Sequence, residues 1–172
     1  MALNYLANQL GKEYDTDGEI ARNGKMDQSL FDRLNDLDFY KIKRAKSLGK
    51  EWFDTVFRPC LDQSGLSVAD QLRTLTEHIA FQLAQSSLGN QGETMLVTGG
   101  GARNLYLIDH LRSSGTKALI IPDEQTIDFK EAIIFAFLGV LRMRSEINCL
   151  SAVTGAQIDN CGGAVYHFLN NS

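Results

Sequence analysis

The chain is poor in the residues that usually announce chemistry. Its three cysteines, Cys60, Cys149 and Cys161, are odd in number, widely spaced and form no C-x-x-C pair. That pattern excludes a disulfide framework and points to reduced thiols in a cytoplasm. The three histidines, His78, His110 and His167, are scattered without metal-ligand spacing, and His78 and His110 read as structural. Positive charge is also in short supply. Lys and Arg total 17 against 21 acids, for a net charge of -4, so no basic surface for nucleic acid is expected. No apolar run is long. The longest, from Ala132 to Leu141, is about half of the roughly 20 residues that cross a bilayer, and it reads as a buried helix. The first residues, MALNYLANQLGKEYD, lack a basic segment followed by an apolar one, so no secretory signal is expected. The sequon Asn170-Asn171-Ser172 has no meaning at the end of a cytoplasmic chain. A Walker loop, a G-x-S-x-G elbow, internal repeats and low-complexity segments are all missing.

What is present is an order of elements. Leu3, Leu6, Ala7 and Leu10 follow helical spacing up to Gly11, and turns are expected at 14–18 and 22–25. The stretch 36–50 is polar, passes from acid to base, and reads as an exposed connection. Residues 51–57 predict a helix ending before Pro59. Ser67 is placed to cap a longer helix with the stripe Val68, Leu72, Leu75, Ile79 and Leu83, which ends at a turn over 89–92. A strand over 94–97, a glycine loop and a helix over 103–111 follow. A second strand is expected over 116–121, a helix over 129–144 and a last strand over 163–168. The middle of the chain is therefore in α/β order, with the two strands parallel.

The loop is TGGGARN, Thr98 to Asn104. Ligands of such sheets sit beyond the carboxyl ends of the strands, where this loop falls. Glycine lets a ligand approach the backbone and leaves helix amides free to face it. One glycine suffices for a tight strand-to-helix turn, so three in a row favour a ligand. The dinucleotide fingerprint G-x-G-x-x-G fails, because Asn104 stands where the third glycine belongs. A nicotinamide-dependent oxidoreductase is thereby disfavoured.

The succession TGGGARN, IPDEQTIDFKEAIIFAFLGVLRMR, LSAVTGA and GGAVY resembles the C-terminal part of the anhydro-N-acetylmuramic acid kinases. YDTDGEIARNGKMD and KSLGKEWF resemble the same family, so the likeness runs through nearly the whole chain in family order. It implies one lobe of an actin-like ATPase and sugar-kinase fold, ribonuclease H-like, with several helices packed on a mixed sheet. The implied activity uses ATP and Mg²⁺. It opens the 1,6-anhydro ring of the sugar and phosphorylates the 6-position, for peptidoglycan recycling in the bacterial cytoplasm. Residues 1–172 would be the C-terminal, nucleotide-side lobe. Thr98, Gly99, Gly100, Gly101 and Ala102 would line the nucleotide, with Asn104 capping the helix or facing the cleft. Glu131 would be a cleft-facing acid on the sugar, or else a helix-start acid favoured by the macrodipole. The basic run reads first as a solvated loop, although Lys46 and Ser47 match the family's KS pair and in that case would line the cleft.

The sequence departs from the family in what it leaves out. The family's phosphate-binding motif and its D-T-G-P-x-N-like segment, which carries the catalytic aspartate, are both missing. Asp15 and Asp17 read as turn residues and do not replace that aspartate. No catalytic residue and no metal ligand is therefore assigned here, and the chain alone is expected to lack kinase activity. The implied partners are a sugar, ATP and an N-terminal lobe, with no nucleic acid and no membrane. Self-association is expected, either through the family's own dimer surface or through surface that the other lobe would cover. The competing reading is a non-catalytic nucleotide- or sugar-binding regulatory module.

Overall fold

The computed structural model describes residues 1–42, 46, 48–86, 94–114 and 118–166. Ser47, the 89–92 turn, His167 and the terminal sequon lie outside the described residues. The described residues form a mostly helical α/β structure in two compact units, Met1–Pro122 and Asp123–Ser172.

The first unit opens with α1 (Ala2–Asn8), a 3₁₀ turn (Thr16–Gly18) and α2 (Glu19–Asn23). Of the turn expected over 22–25, Arg22 and Asn23 are the end of α2, and Gly24 and Lys25 follow it. Gly24 is required by proximity: a Cβ there would lie 2.1 Å from the Ala69 carbonyl oxygen. Next come α3 (Gln28–Asn35) and α4 (Asp38–Lys41). The sequence reading passed over α3, although Asp27 caps it by accepting from the Leu30 amide at 2.7 Å. The polar connection expected over 36–50 contains the single turn α4, whose Phe39 and Tyr40 are half-buried while Asp38 and Lys41 are exposed.

The helix expected to stop before Pro59 does not stop there. α5 (Lys50–Trp52) runs through a π-turn (Phe53–Phe57) into α6 (Arg58–Asp62). Pro59 sits in the first turn of α6, directly after the π-turn.

The helix α7 (Val68–Ser86) is the spine of the unit. Ser67 caps it as expected, its hydroxyl accepting from the Asp70 amide at 3.1 Å. Leu72 and Leu75 of the stripe are fully buried, while Leu83 at its end is exposed. The main core gathers Leu6, Leu30, Leu34, Leu61, Leu72 and Leu75 around this helix.

After α7 come β1 (Met95–Leu96), a 3₁₀ turn (Gly100–Arg103), α8 (Leu105–Ser113) and β2 (Leu119–Ile120). The strands pair in parallel, as the element order requires, with Met95 beside Leu119 and Leu96 beside Ile120. Among the described residues the sheet has these two strands, with no antiparallel member to make it mixed. A second core of Ala80, Leu107, Ile108 and Leu111 joins α7 and α8 to one sheet face through Val97, Leu119 and Ile121.

The second unit is α9 (Glu124–Met143) and α10 (Ser151–Thr154), with an antiparallel bridge between Cys149 and Asn160. Asp123 caps α9 through the Thr126 amide at 2.8 Å, so the helix begins five residues before the expected Phe129. The expectation that the 132–141 run is buried fails. No residue of α9 is buried, and Phe135 is 71% exposed. The described chain after α9 is tied to it by polar bonds, such as Arg142 Nε to the Gly163 carbonyl at 2.7 Å, which supply no apolar layer. The strand expected at 163–168 is also not found; residues 163–166 are irregular. Gly163 has φ of 100°, outside the extended range of a strand. None of the described helices is long and apolar enough to cross a membrane.

His78 is the most consequential buried polar group. It is 1% exposed, with Nδ1 2.8 Å from Asn35 Oδ1 and Nε2 3.0 Å from the Tyr40 hydroxyl. Asn35 Oδ1 also accepts from Gln82 Nε2 at 2.7 Å. An acceptor at Nδ1 fixes the neutral Nδ1–H tautomer, so Nε2 accepts from Tyr40. Burial lowers the His78 pKa to about 4 and raises that of Tyr40 to about 12. The unfolded chain takes up this proton near pH 6.5, whereas the folded chain resists it until about 4. Stability should therefore be intact above pH 6.5 and fall as pH drops towards 4, by about 3 kcal/mol in total. Urea unfolding at pH 7.5 and 4.5 measures this; equal midpoints would contradict it.

Candidate functional site

The glycine loop is built as a strand-to-helix junction. The Val97 amide makes a ladder bond to the Ile120 carbonyl at 2.9 Å. Gly99 then takes φ 77° and ψ -172°, a conformation essentially confined to glycine. The chain winds into a 3₁₀ turn closed by the Ala102 amide on the Gly99 carbonyl at 3.0 Å and the Asn104 amide on the Gly101 carbonyl at 3.2 Å. Asn104 is buried, and its side chain accepts from the Leu107 amide at 2.9 Å, so it caps α8. Of the two roles expected for Asn104, capping is the one its side chain fills.

The three glycines are not equivalent. Gly99 is demanded by the backbone. A Cβ at Gly100 meets nothing within 4 Å, and one at Gly101 only grazes Leu107 Cδ2 at 4.0 Å. Both are exposed, with ordinary backbone angles. The fold of this chain therefore gives no reason for glycine at either position. An unhindered backbone, ahead of a helix whose first turn has spare amides, is chemically suited to the phosphates or sugar face of a nucleotide.

A rigid base lies behind the loop. Gly18 presses on it: a Cβ there would fall 2.6 Å from Asn104 Oδ1 and 2.4 Å from the Tyr106 Cβ. The Tyr106 ring carries the Arg22 guanidinium at 4.8 Å and that of Arg73 at 5.2 Å, and the His110 ring packs edge-on at 4.5 Å. Arg73 pairs with Glu77 at 2.9 Å, and Glu77 meets His110 Nδ1 at 3.0 Å. Burial raises the pKa of the Tyr106 phenol. The cluster locks α8 to α2 and α7, and no local pattern announces it, because its members lie up to 88 residues apart (Arg22 to His110).

Other candidate residues lie elsewhere. Asp15 is buried, its carboxylate accepting from the amides of Ile20 at 2.8 Å and Ala21 at 3.0 Å. It holds the start of α2, in keeping with a turn residue. Lys46 donates to the Phe39 carbonyl at 2.8 Å and lies over the Phe39 ring at 4.6 Å. It is exposed, with these local partners. Beside this segment is an apolar cavity of about 220 Å³, lined by Tyr40, Trp52, Phe57 and His78 among others. Glu131 is exposed on α9, seven residues beyond its first residue, so its reading as a helix-start acid is withdrawn. The loop and Lys46 belong to the first unit and Glu131 to the second. Among the described residues no group of three His, Cys, Asp or Glu side chains is placed to hold a metal.

Comparison with known proteins gives these features a family. The model of the anhydro-N-acetylmuramic acid kinases matches residues 3–168. The chain belongs to that family. A relative from Nitrosospira multiformis is 33% identical over 94% of this chain and 46% of its own length. One from Synechocystis is 35% identical over 90% of this chain and 43% of its own. One from Hahella chejuensis is 31% identical over 88% and 43% respectively. Each is named an anhydro-N-acetylmuramic acid kinase. This member spans less than half the length of these curated relatives.

The glycines separate in a stability measurement. Gly99→Ala should cost about 1–3 kcal/mol, the price of a glycine-only conformation. Gly100→Ala should change stability by less than about 0.5 kcal/mol. Urea denaturation of the two variants checks the contrast; equal losses would show that Gly100 is structural.

Proposed function

We propose that this chain is the nucleotide-side half of an anhydro-N-acetylmuramic acid kinase. The observation that carries the reading is the pair Gly100 and Gly101: glycine stands twice where the fold leaves room for any side chain. In an ATP-dependent member of this family, that room is where the nucleotide lies. Thr98, Gly99, Gly100, Gly101 and Ala102 form its wall, and Asn104 fixes the loop through the α8 cap. Lys46, Ser47 and Glu131 are assigned to the sugar side. The half is a lobe of the actin-like ATPase and sugar-kinase fold, acting in the cytoplasm in peptidoglycan recycling.

The reaction in the intact protein adds water across the 1,6-anhydro bond while the γ-phosphoryl of ATP passes to the 6-oxygen. The products are N-acetylmuramic acid 6-phosphate and ADP. ATP supplies the phosphoryl group, and Mg²⁺ neutralises its charge. The glycine loop fits the nucleotide, because it is open and its neighbouring helix end favours negative charge. The described acids, histidines and cysteines do not fit Mg²⁺ as a self-sufficient ligand set. No step through the metal is assigned to this chain, nor is the base that activates water. Those parts belong to the half of the family's length that this chain does not span. The chain alone accordingly binds nucleotide and does not turn over.

Calorimetry with ATP is the test. The wild-type chain should bind, and Gly100→Val should weaken binding at least about tenfold, a loss of about 1.4 kcal/mol, without moving the thermal midpoint. Equal binding by the variant would remove the loop from the site. Binding with no kinase activity, even after the remaining half of the family's polypeptide is added, would favour a non-catalytic regulatory module.

A further inference from the structure

The apolar cavity beside the Lys46 segment shares no residue with the glycine loop, and every residue that lines it belongs to Met1–Pro122. Four of its lining side chains form a closed circuit of rings. Tyr40 meets His78 at 5.0 Å, His78 meets Phe57 at 5.8 Å, Phe57 meets Trp52 at 5.5 Å, and Trp52 returns to Tyr40 at 6.4 Å. These are edge-on and tilted contacts, the arrangements that aromatic groups prefer. Leu75 and Ile79 of α7 add aliphatic surface, and Ala2 lines the side towards α1.

Water is poorly held in such a space, because a trapped water needs about two to four polar partners. The polar side chains of the lining are Tyr40, Trp52 and His78. Both ring nitrogens of His78 are committed, to Asn35 at 2.8 Å and to the Tyr40 hydroxyl at 3.0 Å. A sugar, whose every hydroxyl needs a partner, is not matched by what remains. A cation is not matched either. No acid lines the cavity, and the charge beside it is positive, with Lys46 Nζ 5.8 Å from the centre of the Tyr40 ring. Size narrows the choice further. An apolar cavity of about 150 Å³ takes up benzene. The volume here is about 220 Å³, room for a second fused ring.

We propose that this cavity is a binding site for a neutral, planar aromatic molecule of one or two fused rings. Such a ligand replaces badly held water and packs against the four rings and α7. The site does not depend on the chain working as half of a kinase, so the two readings stand or fall separately.

The chain's single tryptophan supplies the reporter. Trp52 lines the cavity, so one indole N–H resonance of the ¹⁵N-labelled chain reads its occupancy. Titration with unlabelled indole should move that resonance saturably, with Kd at or below about 1 mM. It should also raise the thermal midpoint. Tryptamine, the same rings carrying an ammonium group, should bind at least about tenfold more weakly. Ile79→Phe fills the cavity from α7 and Ala2→Phe fills it from α1. Each should weaken indole binding at least about tenfold in a chain that still folds. A Trp52 resonance unmoved at about 5 mM indole overturns the proposal. Undiminished indole binding by a folded, filled variant overturns it too, by putting the ligand elsewhere. Tryptamine binding as tightly as indole overturns the assignment to neutral ligands.

Discussion

The packing of α7 is the constraint on which the first unit depends. This helix is the common partner of α1, α2, α3 and α8, and its buried residues are not all apolar. Leu72 and Leu75 fill the core, while His78 sits among aromatic rings with both ring nitrogens satisfied. The approach of α2 to α7 is close enough that a single methyl group at Gly24 would collide with the α7 backbone. Thr74 joins the same seam by accepting from the Asp27 amide at 2.9 Å, just ahead of α3. A helix held this tightly is a sound base for a loop that must keep its shape.

The loop inherits that rigidity through α8. Tyr106 carries two guanidinium groups over its ring, Asn104 caps the helix, and Gly18 brings the Thr16–Gly18 turn against both residues. The glycine backbone is thus held in one shape by its neighbours, which would keep the ordering cost of the proposed nucleotide binding small. The acids of the described residues have other work to do: they are caps, ion-pair partners or exposed groups. Asp15 holds α2, Asp27 caps α3, Asp123 caps α9, and Glu77 bridges Arg73 and His110.

Much of this was legible in the sequence, and the failures have physical causes. Ser67 and the Leu72–Leu75 stripe announced α7, and the order of elements announced a parallel pair of strands. TGGGARN and the motifs around it announced the family. Periodicity could not reveal the π-turn that carries the chain across Pro59, because it depends on how Phe53 and Phe57 pack. The Tyr106 cluster was hidden because its members come from three helices. The error on α9 is the most instructive. An apolar run means that something covers it, and burial was inferred from the run alone. The described residues of 123–172 supply no second apolar layer of their own.

The central claim is that Thr98 to Asn104 is a nucleotide-binding wall held ready by this half of the molecule. A titration of ¹⁵N-labelled chain with ATP, followed by amide NMR, tests it most directly. The account predicts saturable shifts centred on Gly99, Gly100, Gly101 and Ala102, fading along α8, with the α7 core unmoved. Shifts that gather elsewhere, or an unperturbed glycine loop at saturating ATP, would contradict it.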